Sequence, residues 1–123
     1  MKISEFTDKQ KQALMDLLVM GMYADHNLAS PEDACAQRLL DSMQFPSAYE
    51  RDNFSDAAFT RVSQHTGSQE AIQAHITRLA ADFPTPELRR EVYDKLQDLL
   101  TSDGRVTTEE SQLLSAVKAA FRL

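Results

Sequence analysis

The chain has 123 residues and a formal net charge of −6, with 13 basic against 19 acidic side chains. A chain of this length buries roughly two-thirds of the surface that its unfolded form exposes, so we expect one domain, residues 1–123, around one core. Because an acidic protein repels phosphate backbones and the basic residues form no stripe, composition excludes nucleic acid as the expected partner.

Two sequence features bear on the compartment. The longest apolar run, Leu17 to Met20, is too short to span a membrane, and the N-terminus has no apolar signal region. The single cysteine, Cys35, cannot form an internal disulfide, which favours a reducing environment. We therefore expect a cytoplasmic protein without a membrane span.

The first predicted helix begins after Thr7 and runs to about Ala24. Thr7 and Gln10 have the spacing of a capping box, in which each side chain bonds the backbone amide of the other residue. The apolar residues recur at helical spacing and predict one inward face: Leu14, Leu17, Leu18, Gly21 and Met22.

The second predicted helix begins at Ser30-Pro31, a capping hydroxyl followed by a proline suited to the first helical position, and ends at Phe45-Pro46. It is expected to bury Cys35, Leu39 and Met43. The next stretch leaves two alternatives open, because Ser47 caps a helix that Asn53–Asp56 could restart, so residues 48–66 form one helix or two. Gly67 then fits a left-handed helix stop.

Three more helices are predicted over Ser68 to Asp82, 86–102 and Thr107 to Phe121. The sequence Phe83-Pro84-Thr85-Pro86 is the firmest boundary among them, because prolines flank a capping threonine. The expected inward residues are Ile72, Ile76, Leu79, Leu88, Val92, Leu96, Leu99, Leu100, Leu113, Leu114, Val117 and Phe121.

Strand patterns are absent from the sequence, since Val, Ile and Thr are sparse and do not alternate with polar residues. The fold class is therefore all-α, a compact bundle of six or seven helices. The first and last helical pairs are expected to be related by a pseudo-two-fold axis.

That symmetry is suggested by two turns with one pattern. Each reads acid, two residues, aliphatic, three residues, glutamate, as Asp25-x-x-Leu28-x-x-x-Glu32 and as Asp103-x-x-Val106-x-x-x-Glu110. The offset of 78 positions also aligns Leu18 with Leu96 and Asp16 with Asp94.

Two interpretations of these turns stay open. Each acid is able to act as a local helix cap, and Thr107 with Glu110 has the spacing of a capping box that needs no ligand. Alternatively, Asp25, Glu32, Asp103 and Glu110 converge into one cluster that binds a metal ion. Four carboxylates together require protons or a cation, and an all-oxygen donor set selects Ca²⁺ or Mg²⁺.

Neither turn is a complete EF-hand loop. The first and third ligand positions of that motif would fall on Leu99 and Thr101 in one copy and on Gly21 and Tyr23 in the other, and none of these is a carboxylate. Each turn is thus half of a calcium loop, so a site needs both.

In these segments the sequence resembles the tellurite-resistance TerB-like family, together with a related domain found beside some J-domain chaperones. The resemblance rests on the segment from Leu17 to Asp25 followed by Glu32, and on the segment from Ser102 to Val106 followed by Glu110. It spans nearly the whole chain in order and spacing, with little contribution from residues 47–85.

The resemblance implies a helical, non-enzymatic protein of two pseudo-symmetric halves with an acidic, metal-binding cluster. It implies a role in a stress-response assembly, with peripheral association at the inner membrane surface. The chain departs from the family pattern at His26, where a glycine is usual, and at Ala29, which replaces a capping hydroxyl.

The alternative function is a metal-free helical adaptor or dimerisation module for a protein partner or a second copy of the chain. An enzyme is disfavoured, because no Glu-x-x-His pairs, phosphate-binding loop or zinc-binding His-Glu-x-x-His motif occurs. His65 and His75 are expected to be surface or satisfied groups, and His26 is an additional candidate for the acidic cluster.

Overall fold

The computed structural model describes residues 6–24, 34–64, 67–101 and 108–123, without the side chains of 22–24, 34, 35, 69, 109 and 110. Within these ranges it contains six helices and no strand: α1 (Asp8–Ala24), α2 (Ala34–Met43), α3 (Ala48–Ser63), α4 (Gln69–Ala80), α5 (Pro86–Leu100) and α6 (Thr108–Phe121). The all-α prediction is confirmed, and α3 decides between the two alternatives for residues 48–66 in favour of one helix.

Helix α1 is the central helix of the bundle and packs against each of the other five. Every residue from Ala13 to Gly21 is buried, including the charged Asp16. A helix that is apolar on all sides is typical of a core helix, so the single inward face expected from the sequence understates the burial of α1.

Four helices begin at the residues that the sequence predicts. The Thr7 hydroxyl accepts from the Gln10 amide at 3.1 Å, and Gln10 Oε1 accepts from the Thr7 amide at 3.0 Å, which completes the predicted capping box. Ser47, Ser68 and Thr85 cap α3, α4 and α5 through the same three-residue spacing. These starts are therefore decided by local hydrogen bonds.

The predicted end of α3 is wrong. The helix ends at Ser63 with Gln64 as a right-handed C-cap, and Gly67 does not adopt the left-handed conformation expected of it. The left-handed conformation instead follows α2, at Gln44 with φ of 56°. Asparagine and glycine are the usual residues there, so a glutamine gave no sequence signal.

The core contains the predicted inward residues whose side chains the structure describes. Leu39, Val92, Leu96 and Val117 are fully buried, whereas Ile72, in α4, is only partly buried. The burial of Cys35 and the predicted start of α2 at Ser30 lie outside the described residues. None of the described helices is long and apolar enough to cross a membrane.

Helices α1 and α5 run parallel, so both begin at the same end of the bundle. Near the start of α1, Gln10 Nε2 donates to the carbonyl oxygen of Asp82, just before α5, at 3.2 Å. Phe83 packs at this same end against Phe6 and against Phe121 at the end of α6, with ring centroids 6.3 and 5.8 Å away. Helix α6 is therefore antiparallel to α1 and α5.

The contacts agree with a two-fold relation between the pairs α1–α2 and α5–α6. Helix α1 packs against α6 and α5 packs against α2, as such an axis requires. The aligned residues Leu18 and Leu96 are both fully buried. Asp16 and Asp94 differ, since Asp16 is buried and Asp94 is exposed, so the two-fold relation stays a prediction.

Candidate functional site

The structure does not describe the side chains of the predicted acidic cluster. Asp25, Glu32 and Asp103 lie outside the described residues, and Glu110 lies in α6 with a side chain that is not described. Their convergence stays a prediction. The described ends of α1 and α5, which precede Asp25 and Asp103 in the chain, nevertheless show how close together these two segments begin.

Helices α1, α5 and α6 approach one another closely at Gly21, which lies one turn before the end of α1. A Cβ atom at Gly21 would lie 2.8 and 2.9 Å from the two δ carbons of Leu100 and 3.0 Å from Cδ2 of Leu113. At these distances the Leu100 side chain would have to shift to admit a Cβ atom, so glycine permits the close approach of α1, α5 and α6. The C-terminal ends of α1 and α5 are therefore in contact, next to the first half of α6.

Elsewhere, within residues 6–24, 34–64, 67–101 and 108–123, no group of three or more His, Cys, Asp or Glu side chains is arranged to hold a metal ion. The described part of the chain does contain one buried polar cluster. It comprises Asp16 from α1, Arg61 from α3, and His75 and Arg78 from α4.

Asp16 is the acceptor at the centre of this buried cluster. Arg61 binds it with two hydrogen bonds, Nε to Oδ2 at 3.1 Å and Nη2 to Oδ1 at 2.8 Å. His75 Nε2 lies 3.5 Å from Oδ2. The Asp16 and His75 side chains are 3% and 2% exposed, against 32% for Arg61, so the arginine reaches inward from the rim. The two-pronged geometry is the strong form of a carboxylate–guanidinium pair.

The second contact of His75 fixes its tautomer. Arg78 Nη2 lies 2.7 Å from His75 Nδ1. Since a guanidinium has donors only, Nδ1 must accept, and the neutral ring carries its proton on Nε2, facing Asp16. The buried cluster thus forms a chain of contacts from Arg78 through His75 to Asp16, which Arg61 completes from the other side.

Sequence reasoning named Asp16 only as a repeat position. Its signal was an acid between Met15 and Leu17 in a run of core residues, which demands a buried partner. His75 is expected from the sequence to be a surface or satisfied group; the structure buries it, with Arg78 at Nδ1 and the Asp16 carboxylate 3.5 Å from Nε2. His65 lies outside the described residues.

A surface cavity lies between the end of α2 and the start of α3. A cavity of about 380 Å³ is lined by residues 40, 41, 44–48 and 51. Arg51 is one of the lining residues, and its guanidinium donates to Asp41 Oδ1 at 2.5 Å and to the side-chain oxygen of Gln37. Tyr49, in the first turn of α3, is 76% exposed and is the large apolar residue left to solvent in the described ranges.

Comparison with protein families gives a match to a family model. The family model described as tellurite resistance protein TerB matches residues 11–123. No curated protein and no solved structure matches the chain.

Proposed function

Since the chain belongs to the TerB family of tellurite resistance proteins, we propose that it is a non-enzymatic helical protein that binds a divalent cation. The residues that would hold the cation are Asp25, Glu32, Asp103 and Glu110. The cation would neutralise their combined charge and tie the two loops together. The proposed role is in a cytoplasmic stress-response assembly, with peripheral contact at the membrane surface.

One observation carries this proposal, the contact of Gly21 with Leu100. Asp25 follows Gly21 by four positions and Asp103 follows Leu100 by three. Because a chain spans at most about 3.6 Å per residue, both acids lie within roughly 15 Å of that contact. Two segments that follow adjoining helix ends are well situated to share one ligand, which supports convergence.

The chemistry of the donor set also fits a hard cation. All four candidates are carboxylates, and Ca²⁺ and Mg²⁺ bind oxygen ligands. Two carboxylates about 4 Å apart repel by about 4 kcal/mol at an effective dielectric of 20. A cation offsets this repulsion among the four carboxylates, so its binding is expected to raise the melting temperature of the protein.

The test is calorimetric titration of chelator-treated protein with Ca²⁺ and with Mg²⁺. We expect binding heat in the wild type and none in Asp25→Asn/Asp103→Asn. Asp52→Asn/Asp56→Asn is the matched control, because it removes the same charge from exposed positions of α3. An absence of heat and of any change in melting temperature up to millimolar ion would reject cation binding.

The alternative, a metal-free adaptor, has its own support. The described helix starts at Thr7, Ser47, Ser68 and Thr85 are all capped locally, so Thr107 and Glu110 fit the same use. Tyr49 offers an exposed aromatic ring, a residue type enriched at protein interfaces. In this case Asp103→Asn leaves partner binding intact, and loss of partner binding would count against the adaptor.

Unfolding of the ion-free protein distinguishes the two functions. If the acids form an unneutralised cluster, Asp25→Asn/Asp103→Asn stabilises the protein, because repulsion is removed. If the acids are caps, the same change costs about 1 kcal/mol per site. Urea titration in the presence of chelator measures the difference.

The buried cluster is not assigned catalysis. Asp16 and His75 are an acid and a base in contact, but the carboxylate is already held by two hydrogen bonds from Arg61. Its role in this proposal is to join α1, α3 and α4.

A further inference from the structure

The contact between Arg78 and His75 exists only while the imidazole is neutral. Nδ1 accepts from Nη2 of Arg78 at 2.7 Å, so that nitrogen has no room for a proton. When the ring takes up a second proton, a donor and a charge on Nδ1 face the donors and charge of the guanidinium. The contact then changes from attractive to repulsive.

The two sides of the ring respond differently to that proton. On the Nε2 side lies the Asp16 carboxylate, 3.5 Å away, which attracts an imidazolium more strongly than a neutral ring. On the Nδ1 side lies Arg78, an exposed residue of α4 that can return to water at little cost. The protonated ring therefore stays with Asp16, and the arginine leaves.

The surrounding charges are those of the helices packed against α4. Helix α1 presents Asp16, and Arg61 of α3 binds the same carboxylate. Helix α6 has the described cation Lys118, and Arg122 directly follows the helix; both are exposed. Among the described contacts, the ring thus lies between the Asp16 carboxylate and the Arg78 guanidinium, and Arg61 binds the same carboxylate.

We propose that His75 and Arg78 form a pH-sensitive latch. Near neutral pH the latch is closed, with Arg78 held against the ring. On acidification a proton from water binds Nδ1, Arg78 moves to the surface of α4, and His75 forms an ion pair with Asp16. Acid thereby adds one positive charge to the buried ring and releases the existing charge of Arg78 to the face of α4, without opening the junction of α1, α3 and α4.

The test is a pH titration of ¹⁵N-labelled protein by NMR. The three histidines are assigned by single substitutions to Gln at His26, His65 and His75. We expect His75 to carry its proton on Nε2 near neutral pH. We also expect the side-chain signals of Arg78 to shift at the same midpoint at which the His75 ring is protonated.

A variant pair separates a latch from a passive contact. Arg78→Met removes the cation and the N–H group that donates to Nδ1. The midpoint pH of His75 protonation is therefore expected to rise by about 0.5–1 pH unit. Arg90→Met is the control, since Arg90 is an exposed arginine of α5 that pairs with Asp94 at 3.5 Å. It is expected to leave the midpoint in place.

Four results would overturn the latch. They are a proton on Nδ1 in the neutral ring, an unchanged Arg78 signal through the titration, equal midpoints in the two variants, and unfolding of the wild type before His75 is protonated. Far-ultraviolet circular dichroism at each pH detects unfolding. Because Arg78 lies on the surface, Arg78→Met is expected to fold.

Discussion

Asp16→Asn is the sharpest test of what holds α1 within the bundle. The substitution keeps the size of the side chain and removes its charge. The Arg61 guanidinium then loses its anion, and His75 loses the carboxylate 3.5 Å from Nε2. Removing one partner of a buried ion pair typically costs 3–5 kcal/mol, because the other charge is left uncompensated.

The exposure of the partners places the expected loss at the low end of that range. Asp16 is 3% exposed, but Arg61 is 32% exposed and can partly rehydrate. We therefore expect a loss of about 3 kcal/mol in the free energy of unfolding. For a domain of this size that corresponds to a fall of about 10 °C in the melting temperature.

The measurement is urea unfolding at two salt concentrations, with Asp94→Asn as control. Asp94 takes part in an exposed pair with Arg90, with side chains 55% and 61% exposed, so its loss is expected to cost less than about 0.5 kcal/mol. Salt screens exposed pairs more than buried ones, so the cost of Asp16→Asn is expected to persist at high salt. Equal losses in the two variants would refute the structural role of Asp16.

Three more predictions concern packing. Gly21→Val is expected to cost about 1–3 kcal/mol, because the buried Leu100 side chain would have to shift to admit it. Gly67→Ala, with nothing within 4 Å of the added carbon, is expected to be neutral or stabilising by about 0.5 kcal/mol. Thermal unfolding of both variants checks this, and equal shifts in melting temperature would contradict it. Ser55→Ala is expected to stabilise by about 0.5–1 kcal/mol, since the buried Ser55 hydroxyl has no hydrogen-bond partner among the described residues, and a loss of stability in urea would oppose this. Phe83→Ala is expected to cost about 4 kcal/mol by leaving a cavity between two other aromatic rings, and a loss under 2 kcal/mol in the same assay would show that the end of the bundle collapses around it.

Helix positions were determined by the sequence because their causes are local. Thr7, Ser47, Ser68 and Thr85 each bond an amide three residues further on, so a window of four residues contains the whole interaction. The inward residues of α5 follow from helical spacing in the same way. The paired acidic pattern and the family resemblance are also properties of the sequence, and the family match confirms the resemblance.

Tertiary structure decided the environment of each helix. Periodicity predicts one inward face for α1, but the neighbouring helices bury every residue from Ala13 to Gly21, and no pattern within α1 reveals how many neighbours it has. The ion pair of Asp16 joins it to Arg61, 45 residues away, so its partner is set by the packing of α3 on α1. The sequence therefore determined where the helices lie along the chain, through short-range hydrogen bonds and spacing. Only the assembled bundle determined which buried charges meet, because that depends on contacts between distant segments.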